Sequence, residues 1–539
     1  MKNLSLFICL VFFSLCFSCP VFAEDLFDQA MDLYENSQYA EAVVQLQLLI
    51  ADGLPEATAS QVLFYLGQSY QKLENDPQAI QCYREVLDQY PDTSIAEEAL
   101  FGLGYLLKAQ GQAAESVIHL ENLLNRTESP LLKENGLFHL AHAYHLSGNY
   151  PSAIEKYNQF LEAYPNAEGK VIALFGLAQS LRSGAYYPES IEVYGRLRRQ
   201  YPNSEWAEHS LYNMAQAYYA AGDRTSAITR YQEFLAQYPQ SPTAGLAKFD
   251  IGCIQNTSGD YASAIETLQA MLTQYPDCSR VVDALFHLGQ AYHSSGDISL
   301  AVQTYQKILD QFPQSEYASS ALYFQGWALK DMGQEDEAIQ KYQTLVANFP
   351  GSPTDQLMYS HFAIGVALLK KADQLRQTNP DDPLAAHYED QGRSQLYGLF
   401  QDEELTLNLK LEGIYYLKDL ETLEADAQDY LATHTAQQEG WGTAMTWLGV
   451  VQAMKSPPDL AAAATTLDTV LQTDFKASEG DKGYLLTRAK LWRGWIALNQ
   501  GDEVLARRLY GEIRESTPER AVKKESLDIL GAYLQIPPE

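Results

Sequence analysis

The chain has little cysteine: six in 539 residues, with Cys9, Cys16 and Cys19 inside the first 23. Cys82, Cys253 and Cys278 remain, an odd set with no CxxC pair, so no disulfide framework is implied. Positive charge is scarce too. Lys and Arg number 37 against 69 Asp and Glu, the net charge is −32, and the acids are spread along the chain. Phosphate binding needs clustered cations, so nucleic acid is not expected as a partner. After residue 23 no apolar run is long enough for a transmembrane helix. Also missing are HExxH, GxSxG, a P-loop, a GxGxxG opening a helix, and a zinc-spaced Cys/His set. The reading is therefore non-enzymatic, with no catalytic residue, cofactor or metal expected, and with most carboxylates on solvated helix faces.

What is present supports a folded protein. Apolar residues make up 46% and aromatics 12% of the chain, and its length exceeds one compact core. Residues 1–23 differ in kind. Lys2 precedes the apolar stretch LSLFICLVFFSLCF, and Val21 and Ala23 stand at the minus-three and minus-one positions before Glu24. This pattern is that of a secretory leader cleaved after Ala23, and it predicts a periplasmic or otherwise exported protein. A lipid-bearing Cys19 is disfavoured, because Cys16 stands where such leaders carry Leu and Pro20 follows awkwardly.

The dominant signal is a repeat. An aromatic followed by proline recurs at Tyr90-Pro91, Tyr164-Pro165, Tyr201-Pro202, Tyr238-Pro239, Tyr275-Pro276, Phe312-Pro313 and Phe349-Pro350, in steps of 37 residues or twice that. A small residue keeps the same step at Ala30, Gly67, Gly104, Ala141, Ala178, Ala215, Gly252, Gly289 and Gly326. Twelve residues on stands another, from Ala42 to Ala338, and four beyond that a large one, as in Tyr83, Leu120, Tyr157 and Tyr305. Nine units fit from about residue 24 to 352 without an insertion. Within each half, apolar residues recur at three and four, which predicts two helices per unit. The small slots let the helices approach closely. Gly111, Gly148, Gly222, Gly259, Gly296 and Gly333 supply the turn between them. Proline stops the second helix. Ser204, Ser241, Ser315 and Ser352 are expected to cap the next one, with Pro242 and Pro353 in its first position. Cys278 falls in that serine slot and is expected to serve structurally.

Leu285, Leu288, Gly289, Tyr292, Ala301, Tyr305 and Pro313 match the tetratricopeptide repeat (TPR) pattern residue by residue, which the chain resembles with three extra residues in the connection. The Tyr-Pro-marked variant is similar to exported bacterial TPR proteins of the Tol–Pal and outer-membrane assembly families. The resemblance implies an all-α fold, a right-handed superhelical solenoid of stacked antiparallel helix pairs. Three segments are expected: the leader, 1–23; a regular array of nine repeats, 24–352; and a divergent helical array, 353–539. The last has a break near Leu375 to Tyr388, further units around Gly413, Tyr416 and Ala425, around Ala463, Leu467 and Val470, and around Gly494 and Ala506, and a capping helix from about Ala521 to Leu534.

The resemblance also implies a concave groove made by the first helices. An aromatic ladder, Phe27, Phe64, Phe101, Phe138, Phe175, Tyr212, Phe249, Phe286 and Tyr323, lies three residues before each small slot. Its uniformity favours packing between successive first helices over gripping a partner. Variable positions one and four beyond the small slot are the candidate partner-binding residues. They are Gln68 and Gln71, Tyr105 and Lys108, His142 and His145, Gln179 and Arg182, Gln216 and Tyr219, Gln290 and His293, and Trp327 and Lys330. His139, His142 and His145 share one helix face, but a metal site would need further ligands that the sequence does not supply. The expected function is a scaffold or adaptor in a bacterial cell envelope that binds a protein segment. The alternatives are an adaptor for exported polysaccharide or cell-wall glycan, and an enzyme hidden in the irregular C-terminal part.

Overall fold

The computed structural model describes residues 20–50, 54–402, 405–477, 479–516 and 520–535. Most of the expected leader lies outside them. Among the described residues there are helices and no strands, and no helix is long and apolar enough to cross a membrane. The chain divides into two compact units at Ala247/Lys248. The first holds α1 (Pro20–Glu35), α2 (Tyr39–Ile50), α3 (Glu56–Lys72), α4 (Asp76–Gln89), α5 (Ser94–Ala109), α6 (Ala113–Arg126), α7 (Pro130–Leu146), α8 (Tyr150–Ala163), α9 (Lys170–Ser183), α10 (Tyr187–Gln200), α11 (Glu205–Ala220) and α12 (Arg224–Gln237). The division falls inside α13 (Ala244–Thr257). The second unit continues with α14 (Tyr261–Gln274), α15 (Val281–Ser295), α16 (Ile298–Gln311), α17 (Ala318–Asp331), α18 (Glu335–Asn348), α19 (Thr354–Thr378), α20 (Pro383–Leu399) and α21 (Leu407–Tyr416). Then come α22 (Leu420–Thr433), α23 (Trp441–Met454), α24 (Leu460–Gln472), α25 (Glu479–Asn499), α26 (Glu503–Glu515) and α27 (Arg520–Leu534).

In each unit, consecutive helices pack as antiparallel pairs. The periodic small and large slots are one contact seen from two sides. A methyl group added to Gly289 would sit 2.5 Å from the Tyr305 ring, and one on Gly326 would sit 2.8 Å from Tyr342. Gly104 and Gly252 stand in the same way against Leu120 and Leu268. At these four positions glycine leaves room for the large side chain sixteen residues on. Tyr83 is closed in from both sides, by Gly67 of its own repeat and by Gly102 of the next. These rings are almost wholly buried, so each repeat shares its core with its neighbour.

The turns need a left-handed residue. Gly111, Gly148, Gly222, Gly259, Gly296 and Gly333 all adopt positive φ. Ser37, Glu74 and Ala185 occupy the same slot in the other repeats and take φ of 62°, 57° and 64° without being glycine. The residue after this turn caps the second helix in several repeats, with Asp223 Oδ1 accepting from Ser226 N–H at 3.0 Å and Asp260 Oδ1 from Ser263 N–H at 3.2 Å.

The connections between repeats differ from expectation. The aromatic–proline pair starts a β-turn, in which the aromatic carbonyl accepts from the N–H three residues on. This bond recurs as Tyr201 to Ser204, Tyr238 to Ser241, Tyr275 to Cys278, Phe312 to Ser315 and Phe349 to Ser352, at 3.0–3.1 Å. The slot is held through its backbone, which is why cysteine substitutes there. The serine hydroxyls are not regular caps. Ser204 donates back to the Tyr201 carbonyl, Ser241 accepts from Thr243 N–H, and Ser315 and Ser352 keep buried hydroxyls without a partner among the described residues. Pro353 is itself the cap residue of α19, and Pro242 precedes α13 by two residues, so neither is in the first helical position. The arrangement expected of serine and proline appears instead at a connection that has Thr127-Glu128 in place of the aromatic–proline pair. There Ser129 accepts from Leu132 N–H at 3.5 Å and Pro130 opens α7.

Beyond residue 352 the turn-rich stretch is the bend of a helical hairpin, α19 and α20, in which Gly365 and Gly392 face one another closely. Gly449 against Leu467 repeats the small-to-large contact. Ala425 is exposed, and the buried positions of α22 are Leu423 and Ala427, so the expected register there was two residues off. Arg488 of α25, buried between the rings of Trp447 and Tyr484, pairs with Glu412 of α21 at 3.1 Å.

Two substitutions test this packing by the urea midpoint. Gly289→Ala is expected to destabilise by about 1–3 kcal/mol, because the buried Tyr305 ring has no room to retreat. Ala185→Gly is expected to stabilise by about 0.5–1 kcal/mol, the relief of left-handed strain exceeding the added freedom of the unfolded chain.

Candidate functional site

The ladder rings are consumed by packing. In six repeats the ring lies against the aromatic nineteen residues later on its own second helix. Phe64 meets Tyr83, Phe138 Tyr157, Phe175 Tyr194, Tyr212 Tyr231, Phe286 Tyr305 and Tyr323 Tyr342, with centroids 5.5–6.3 Å apart. Some also touch the next first helix, as Phe175 does at Trp206 and Phe286 at Phe324.

The variable positions form a row along the first helices, and many reach the neighbouring repeat. Tyr34 donates to Gln68 at 2.9 Å, and Tyr83 donates to Gln71 at 3.2 Å within its own repeat. Lys108 Nζ donates to His139 Nδ1 at 2.6 Å and lies over the Tyr105 ring. His145 Nδ1 meets Ser180 Oγ at 3.0 Å. In the second unit His293 pairs with Asp331 at 2.9 Å, Gln290 with His287 at 3.1 Å, and Lys330 donates to Tyr359 at 2.8 Å. Trp327 stacks between Phe324 and Tyr359. Gln179, Arg182 and Gln216 are half-buried, whereas Tyr105 and Tyr219 stand out at 39% and 45% exposure. Lys108, only 8% exposed, is buried rather than solvated. Sequence reasoning named His139 but not the recurring position it holds, two before the small slot. Tyr65, His139, His287 and Phe324 hold it, and its 37-residue recurrence was the available signal.

Electrostatics single out α5, α7 and α9. Burial lowers the Lys108 ammonium to about 8. Burial, and then the Lys108 charge, lowers His139 to about 3 and His142 to about 4. Burial and Arg182 lower His145. Ser180 spends its only hydroxyl proton on the Gly176 carbonyl, so the Nδ1 of His145 carries the hydrogen in their bond. No group of three or more His, Cys, Asp or Glu among the described residues is placed to hold a metal ion.

Tetratricopeptide repeat models match residues 61–93, 140–205 and 212–278, the same register that the packing shows. The chain carries tetratricopeptide repeats. Residues 249–363 of this TPR protein match a further model, YfiO, described as an outer membrane lipoprotein. The TPR protein is similar to solved structures as well. One is a tetratricopeptide repeat protein from Parabacteroides merdae, 15% identical, covering 50% of this chain and 98% of its own, with a TM-score of 0.35. PilW, a widely conserved type IV pilus biogenesis factor, is 16% identical over 41% of this chain and 96% of its own, with a TM-score of 0.33. A putative kinesin light chain of Podosopora anserina is 19% identical over 35% and 99%, with a TM-score of 0.29. No curated protein matches the sequence.

The half-buried imidazoles are expected to make the TPR protein acid-sensitive. The unfolded chain protonates them near 6.5 while the folded one resists, so stability falls as pH drops from 6.5 towards about 4. His139→Gln with His142→Gln should flatten this fall when melting temperature is followed across that window.

Proposed function

We propose that this TPR protein is a non-enzymatic adaptor of a bacterial cell envelope that binds a protein segment along its first-helix face. The observation that carries the reading is the division of labour among aromatics. The ladder rings close the core, while Tyr105 and Tyr219 remain exposed in a row of amide, imidazole and cationic side chains. Tyrosine offers a large contact area with little entropy to lose, and a polar row beside it fixes a partner backbone. The match of residues 249–363 to an outer-membrane lipoprotein model and the leader-like first 23 residues support the envelope.

Site-specific photo-crosslinking tests the reading. A photoreactive residue at Tyr105 or Tyr219 is expected to yield discrete protein adducts in intact envelopes. The same residue at Val44 or Ile118, exposed on second helices, is expected to yield none. Equal labelling at both sets would overturn the assignment of the first-helix face, and retention on cell-wall glycan without protein adducts would favour a polysaccharide adaptor.

A further inference from the structure

Resting on that reading, we infer that Lys108, His139, His142, His145 and Arg182 form an anion-recognising strip for an acidic peptide segment, one bearing Asp or Glu side chains. The strip crosses three successive first helices, α5, α7 and α9, joined by the Lys108–His139 bond. In a chain of net charge −32, three of its ten histidines and two cations gather here. The positions two before, one after and four after the small slot carry no Asp or Glu in the second to sixth repeats, although acids number 69 in 539 residues.

The cations lack counter-charges. Neither Lys108 nor Arg182 makes an ion pair among the described residues; the Arg182 guanidinium has the neutral Tyr194 hydroxyl of α10 beside it, which supplies no counter-charge. Of the charged groups on helices packed against α7, Lys108 from α5 and Arg182 from α9 act on the imidazoles, together with the imidazoles themselves. Four of the neighbouring acids act elsewhere. Glu115 of α6 pairs with Arg84 and His119, Glu121 accepts from Tyr144, Glu155 of α8 pairs with Lys156, and Glu98 of α5 acts on Tyr65.

The hydrogen bonds fix what each group offers. Lys108 donates to His139 Nδ1, so the proton of the neutral ring is on Nε2, already a donor to a carboxylate. His145 uses Nδ1–H on Ser180, so its Nε2 donates only after protonation. An arriving carboxylate would supply the missing counter-charge and favour that protonation, so binding takes up protons and tightens as pH falls.

Fluorescence anisotropy of a labelled oligoglutamate peptide with the purified chain tests this, with oligoglutamine and oligolysine of equal length as controls. Oligoglutamate alone should bind, with Kd falling about tenfold or more from pH 7.5 to 5.5, where glutamate is still mostly ionised. Added salt should weaken it. Arg182→Gln with His142→Gln should raise Kd about tenfold at pH 5.5 while helicity and melting temperature at pH 7.5 stay unchanged, and a benzophenone on the peptide should label α5, α7 or α9. The variant pair avoids the buried Lys108. Binding no tighter than oligoglutamine, binding unchanged in the double variant, or labelling elsewhere would overturn the strip. If oligoglutamate fails while Tyr105 and Tyr219 still crosslink to protein, the acidic-segment inference falls and the adaptor reading stands.

Discussion

Tyr305 fills the space above Gly289, and Tyr83 does the same between Gly67 and Gly102. In that contact a large side chain on a second helix is accepted because the facing first-helix position has no bulk. The helix pair closes around it, and the next repeat covers what remains. A single pair leaves its ring half covered, and the entropy of ordering more than thirty residues exceeds what that burial returns. Stability therefore belongs to neighbours, and every other feature is arranged so that neighbours can meet.

The turns show how firmly that geometry is held. Ser37, Glu74 and Ala185 accept a left-handed backbone where other repeats use glycine. The packing of the two helices on either side outweighs the local preference of the residue between them. The connections behave likewise, with the β-turn carried by aromatic and proline and the third residue free to be Ser, Thr, Ala or Cys.

Once the second helices and the ladder rings have made the core, the first helices are left with one face for other purposes. In the first unit that face combines exposed tyrosines with Lys108 and Arg182, which no carboxylate among the described residues neutralises. Burial keeps its histidines neutral, so the same groups lower stability in acid and are available to an anionic partner. Both properties follow from desolvation without a counter-charge.

The sequence by itself determined the all-α repeat fold, the helix pairs and the small and large slots, because a 37-residue step in side-chain size survives whatever the partners of each side chain are. Cap and turn chemistry was less legible. Ser204 and Ser315 have the composition of caps, yet only backbone geometry shows that their N–H groups close a turn. Ala425 fits a small slot by spacing and lies exposed, since α22 packs through Leu423 and Ala427. Tertiary structure alone decided which variable residues are free. Lys108 and His139 stand 31 residues apart and meet only because α5 and α7 are stacked, a contact made by packing between repeats rather than by any pattern within one.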